Sequence, residues 1–274
     1  MGLAVCGHVD LIGWAKEHDF ALVRKTVDAA ARCGQIEVLR LLLDYGCGAS
    51  INTCTTAARW GHLDALIYLR SRGCDWDTDT CAEAARGGHL GVLQWARQNG
   101  CPWDGTTAVN AAASGNVELL AWVHDNGCKI DWGACDAAAA HGRISALREL
   151  RTRGFRWSVE TCRSAAHSGK FATLRWLRAN NCPWDSGTCR AAVLAGRFDM
   201  LQWCHAEGCP LGDGVCELAA SHNRLDMLAW AYARGCQLTG KAYYCSELME
   251  HKPITEWLRA RGCLTDYDQR GEYL

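Results

Sequence analysis

Taken as apolar and polar positions, the chain is one short pattern written over and over. A narrow stripe of small apolar residues is followed by a glycine, a stripe of large apolar residues and a second glycine, and the pattern returns after 27 residues without insertion. In residues 78–104, TDTCAEAARGGHLGVLQWARQNGCPWD, the small stripe is Cys81, Ala84 and Ala85. Cys at i with Ala at i+3 and i+4 lies on one helical face, narrow enough for neighbouring helices to approach closely. The alanine pair recurs at 30–31, 57–58, 84–85, 111–112, 138–139, 165–166 and 219–220. The large stripe is built on Leu39, Leu66, Leu93, Leu120, Leu147, Leu174, Leu201 and Leu228, with Trp95, Trp122, Trp176, Trp203, Trp230 and Trp257 two places after. Both stripes have helical spacing, so each unit is predicted to be a helix, a turn and a second helix.

The boundaries carry their own signals. Ser50, Asp77, Asp104, Asp131, Ser158, Asp185, Gly212 and Thr239 each precede a unit and are residue types that suit a helix N-cap. Gly7, Gly34, Gly61, Gly88, Gly115, Gly142, Gly169 and Gly196, then Asn223, stop the first helix, since Gly and Asn tolerate the left-handed backbone of a sharp end. The second helix closes with Arg70, Arg97, Arg151, Arg178 or Arg259, as the helix dipole favours. The linker after it, Gly100 to Asp104 in the example, has five residues and no room for a hairpin arm. Its tryptophan (Trp76, Trp103, Trp157, Trp184) is expected under the turn, whereas Trp60 and Trp132 stand outside both tryptophan registers.

A strict period of this length marks a solenoid, in which each unit buries its apolar face only against its neighbours. The expectation is one array over 1–274: a partial repeat at 1–23, eight repeats of 27 over 24–239, a divergent capping repeat at 240–266 and a polar tail at 267–274. At the other end Leu3-Ala4 align with the alanine pair, so the chain starts inside a unit.

Gly88-His89-Leu90-Gly91-Val92-Leu93 resembles the opening of the second helix of an ankyrin repeat, and Thr80-Cys81-Ala82-Glu83-Ala84-Ala85 resembles its first helix. The likeness runs over essentially the whole chain. It departs in length, because the six residues missing from the common 33-residue unit fall where the family carries its β-hairpin finger; the Thr-Pro-Leu-His start is absent as well. Short Cys- and Trp-rich units of this kind are similar to those in ankyrin arrays of giant DNA viruses of amoebae and of some algae and protists. The resemblance implies an all-α, ankyrin-like helix-turn-helix solenoid with shortened or absent fingers, acting as a protein-interaction scaffold. If the chain is part of a longer viral protein, it also implies recruitment of ubiquitin-ligase machinery.

Charge and composition narrow the partners. A formal net charge of −1 gives no global basic field for nucleic acid. No apolar run approaches the ~20 residues that span a bilayer, and Asp10, Lys16, Glu17 and Asp19 do not read as a secretory leader; the expectation is a soluble intracellular protein. The 18 cysteines are largely periodic, at 47, 74, 101, 128, 182, 209, 236 and 263 in one register and 54, 81, 135, 162, 189 and 216 in another. Periodicity at core-like places favours small buried hydrophobes, with a disulfide ladder or metal and redox chemistry as the alternative. No CxxC occurs, and the seven-residue gap from Cys74 to Cys81 lacks the paired ligands of a tetrahedral zinc site. No nucleophile, base and orienting group recur together and no phosphate loop is present, so neither an enzyme nor a cofactor is expected.

Copies compared within the chain differ at two places after the cysteine and two after the alanine pair, and this variation suggests surface. The candidate partner-binding residues are Arg59, Trp60, Glu83, Arg86, Asn110, Ser114, His141, Arg163, His167 and His222. A Trp beside an Arg has the composition of a binding hot spot; the competing reading folds Trp60 back onto its neighbour. A second candidate is the segment 132–185, with nine basic residues against four acidic, which suits an acidic partner or nucleic acid. His8, His62, His89 and His251 share one turn register and are expected to satisfy backbone groups.

Overall fold

The structure, a computed structural model, describes residues 8–18, 20, 22–131, 133–212 and 214–263. Residues 3–4, Gly7, Trp132 and the tail 267–274 lie outside them. The described residues form nineteen helices and no strand. First helices run Arg24–Arg32, Ile51–Arg59, Thr78–Gly87, Gly105–Ser114, Gly133–Ala140, Val159–His167, Ser186–Leu194, Val215–Ser221 and Gly240–Leu248. Second helices alternate with them: Val9–Glu17, Ile36–Asp44, Leu63–Ser71, Leu90–Gln98, Val117–Asp125, Ile144–Thr152, Phe171–Ala179, Phe198–Ala206, Leu225–Tyr232 and Lys252–Arg259. They gather into two compact units, one of residues up to 138 with 143–155, the other of 139–142 with 156 onward.

In the first unit, successive first helices pack on one another from Arg24–Arg32 to Gly105–Ser114, and the second helices Val9–Glu17, Ile36–Asp44 and Leu63–Ser71 do likewise. In the second unit the same order links Val159–His167, Ser186–Leu194, Val215–Ser221 and Gly240–Leu248. The small stripe is the contact face: Cys54, Ala57 and Ala58, Cys81, Ala84 and Ala85, and Cys162, Ala165 and Ala166 are wholly buried. The leucine register from Leu39 to Leu228 is buried behind it.

Asp77, Asp104 and Asp185 cap their helices by accepting from the N–H two residues on at 2.9–3.1 Å. Gly212 does not cap the next helix: that helix starts later, at Val215, with the left-handed Gly214 before it. Glycine at the first-helix stop has φ between 64° and 82° from Gly34 to Gly196, and Asn223 takes the same conformation. The second glycine register is left-handed too, and the next N–H reaches back to close the turn, as Cys101 N–H does to the Ala96 carbonyl.

The arginine closing the second helix does more than oppose a dipole. Arg70, Arg97 and Arg178 each donate to the carbonyl of the cysteine four residues on. Their guanidinium groups lie 4.1–4.3 Å from the ring centroids of Trp76, Trp103 and Trp184. Those linker rings then meet Trp95, Trp122 and Trp203 edge to face at 5.7 Å. The linker tryptophan is therefore clasped between an arginine and the next tryptophan. Linker cysteines are held as well: the thiols of Cys74, Cys101, Cys128, Cys182, Cys209, Cys236 and Cys263 each donate to the carbonyl 24 residues earlier, at 3.1–4.0 Å. In the repeat that starts at 240, Tyr244, Leu248 and Met249 are exposed.

Candidate protein-binding surface

In the first unit the ends of three successive first helices carry Arg32, Arg59 and Arg86, spaced by 27 residues and all exposed. Trp60 sits directly after the second of these helices and is 53% exposed, so the ring is not folded away. The Arg32 guanidinium lies 5.9 Å from its centroid. Glu83, half-buried, is shared: one oxygen is 3.4 Å from Arg59 and the other 3.6 Å from Arg86. Glu83 thus faces two of the three guanidinium groups and the third, that of Arg32, lies against the exposed indole, which leaves this surface cationic. The approach of the helices here depends on Gly87, where a Cβ would stand 2.3 Å from the Arg59 carbonyl oxygen.

Asn110 and Ser114 belong to the same face but spend their polar atoms inside it. Asn110 donates to the Ala82 carbonyl at 3.0 Å, and Ser114 to the Ala111 carbonyl at 2.7 Å. The variable places after the cysteine are mostly half-buried rather than open, and Ala82 and Ala191 are buried. They face the groove between adjacent first helices, where variation follows packing as much as contact. The places after the alanine pair are more open: His141, His167 and His222 are exposed, the last hydrogen-bonded to the Leu218 carbonyl at 3.0 Å.

The second unit holds a groove of about 500 Å³ on its first-helix surface, lined by Arg163, His167, Asp185, Arg190 and Leu194 among others. Arg163 is fixed across it by Glu160 at 2.6 Å and Asp185 at 3.0 Å. Asp185 thus both caps its helix and holds the arginine. Gly187 makes the room, because a Cβ there would meet the Arg163 Nε at 2.4 Å. Arg190 and Leu194 are exposed beside it. Sequence comparison passed over Arg32, Arg190 and Leu194 as site residues, although their registers, one period from Arg59, Arg163 and His167, were available to find them.

Several cations of 132–185 are occupied within their own unit. Arg153 pairs with Asp125 and Glu149, and its guanidinium, with the adjacent His124, holds the Asp125 carboxyl below the ordinary value. Arg163 and Arg178 are engaged as described, while Arg148, Arg156, Lys170 and Arg175 are exposed. The turn histidines His62 and His251 sit 3.0 Å from the carbonyls of Arg32 and Ala220 in the preceding repeat. Among the described residues no group of three or more His, Cys, Asp or Glu could hold a metal ion.

No model of a known protein family matches the chain, and no curated protein matches it. A solved structure does: the human ASB11 ankyrin repeat domain is similar with a TM-score of 0.51 and 17% identity, over 66% of this chain and 97% of that one. The likeness is one of fold, and the fold is of the ankyrin-repeat type.

Proposed function

We propose that this chain, built on the ankyrin-type helical repeat, is a non-catalytic adaptor that binds another protein through the exposed face of its first helices and linkers. The fold is in general an interaction module with no chemistry of its own. One observation carries the assignment to this surface: Trp60 is 53% exposed between Arg32 and Arg59, in a chain whose linker tryptophans Trp76, Trp103 and Trp184 are clasped by arginines. An exposed aromatic flanked by arginines is the composition that dominates binding energy at protein interfaces. The groove around Arg163, Arg190 and Leu194 is the corresponding feature of the second unit.

The test is affinity capture from cell lysate with quantitative mass spectrometry, comparing wild type with Arg59→Ala/Trp60→Ala and with Arg190→Ala/Leu194→Ala. Far-UV circular dichroism first establishes that each variant is folded. A protein held by wild type and lost at least tenfold by the first variant supports the Trp60 face, and loss by the second alone moves the site to the groove. Equal capture by all three overturns both placements. If only nucleic acid is retained, with steep salt dependence, the exposed cations of 132–185 carry the function instead.

A further inference from the structure

The two cysteine registers meet within a repeat, at a separation of twenty residues, and not across the seven-residue gap of sequence neighbours. The Sγ atoms of Cys54 and Cys74 are 3.0 Å apart, and Cys81 hydrogen-bonds Cys101 in the same arrangement one repeat later. A disulfide S–S bond is about 2.05 Å long, so about 1 Å of closure separates the first pair from a covalent bond. Buried thiols that only fill space have no need to face one another; Val27 and Ala108 fill the Cys54 register elsewhere without a sulfur.

We propose that Cys54 and Cys74 are a modification site: a dithiol that a low-molecular-weight disulfide, such as oxidised glutathione, converts to an intrarepeat disulfide, with Cys81 and Cys101 as a second rung. Cys74 is the attacking thiol. It retains 8% exposure whereas Cys54 has none, and the Cys54 S–H donated to it, with Arg70 nearby, lowers its pKa. The Cys74 thiolate bonds to one sulfur of the reagent, the reagent's S–S bond breaks, and the departing thiolate takes up a proton. Cys54, held protonated chiefly by its hydrogen bond to Cys74 and then by burial, loses that restraint once Cys74 is in a mixed disulfide. It then gives up its proton and attacks the Cys74 sulfur, and the second thiolate leaves and is protonated. Two protein thiols are oxidised and one reagent disulfide is reduced to two thiols. The product closes a loop holding most of one first helix, the turn and the second helix, which restricts the unfolded chain.

The whole chain, fully reduced, is incubated with oxidised glutathione under native conditions, blocked with N-ethylmaleimide and digested with trypsin without reductant. The expected product joins peptides 41–59 and 73–86, and it is cleaved by dithiothreitol. Because Cys47 shares the first peptide with Cys54, and Cys81 the second with Cys74, the link should persist in Cys47→Ala and in Cys81→Ala, which also removes the second rung, and fall at least tenfold in Cys54→Ala. Cys54→Val, the residue the chain uses at position 27, repeats the test should the alanine variant fold poorly. No link in folded wild type at glutathione concentrations that oxidise an exposed dithiol overturns the proposal, and so does a link that survives loss of Cys54.

Discussion

At the scale of single residues, the repeat is held by contacts that each look minor. Arg97 joins the Cys101 carbonyl to the face of Trp103; a half-exposed cation–π contact and one hydrogen bond together are worth about 1–2 kcal/mol. Arg97→Ala should lower the urea midpoint accordingly, and Arg97→Lys should recover little, because an ammonium lacks the planar fork that meets carbonyl and ring together. Glycine offers a sharper comparison. A Cβ at Gly100 would meet nothing within 4 Å, so Gly100→Ala is charged only for its left-handed backbone, about 1 kcal/mol. At Gly61 the same Cβ would stand 2.6 Å from the His89 ring, and Gly61→Ala should cost clearly more. Glu250 holds the same conformation at φ 56°, and Glu250→Gly should raise stability by about 0.5–1 kcal/mol in thermal unfolding. A threonine register at Thr26, Thr53, Thr80, Thr107, Thr161 and Thr188 is buried throughout; its regularity was visible in the sequence, but no spacing says that a polar side chain will be enclosed.

At the scale of elements, the helices are too short to stand alone. Nine or ten residues is typical here, below the ~12–15 at which an isolated helix becomes marginal in water. A peptide of residues 77–104 should therefore show little helix by circular dichroism, although the same residues are helical in the protein. Within the protein, caps and packing make up the difference. Asp104→Ala removes the acceptor for the Thr106 N–H and should cost about 1 kcal/mol, while Leu93→Ala opens a wholly buried site and should cost about 2–5 kcal/mol. Helix positions were legible from the caps and glycines because those signals are local. The exception, Gly212, shows the limit: the residue type permits a cap, but glycine permits other conformations equally, and the helix there waits until Val215.

For the whole molecule, burial of sulfur gives a direct check. Thirteen of the seventeen described cysteines are buried and four are half-buried. The reagent that releases thionitrobenzoate is itself a small disulfide, so freshly reduced native protein should react quickly at the four half-buried thiols among the described residues and more slowly at the Cys54–Cys74 and Cys81–Cys101 pairs, and all 18 thiols of the chain should react once it is denatured. A fast native phase near 18 would mean that the core is open. The candidate surface was legible in part: Arg59, Trp60, Arg163 and His167 lie on the exposed first-helix face or at its groove, because variation between copies marks positions released from packing. Asn110 and Glu83 stand at variable places too but are tied to neighbouring helices, because variation also accompanies packing against a variable neighbour, while Ser114 turns its hydroxyl back onto its own helix.

The sequence by itself determined the period, the alternation of short helices, the glycine and N-cap boundaries, the small and large faces, and the lack of room for a strand between units. All of these depend on residues within one turn or one repeat, where the chain's own connectivity limits the geometry. Tertiary structure alone decided which cysteines face each other, that Trp76, Trp103 and Trp184 each lie between an arginine and a tryptophan of the next repeat, that Trp60 stays in water, and that Arg163 spans a groove opened by Gly187. Those outcomes depend on how one helix pair settles against another, and the distances involved are set by the summed packing of many side chains that no single spacing records.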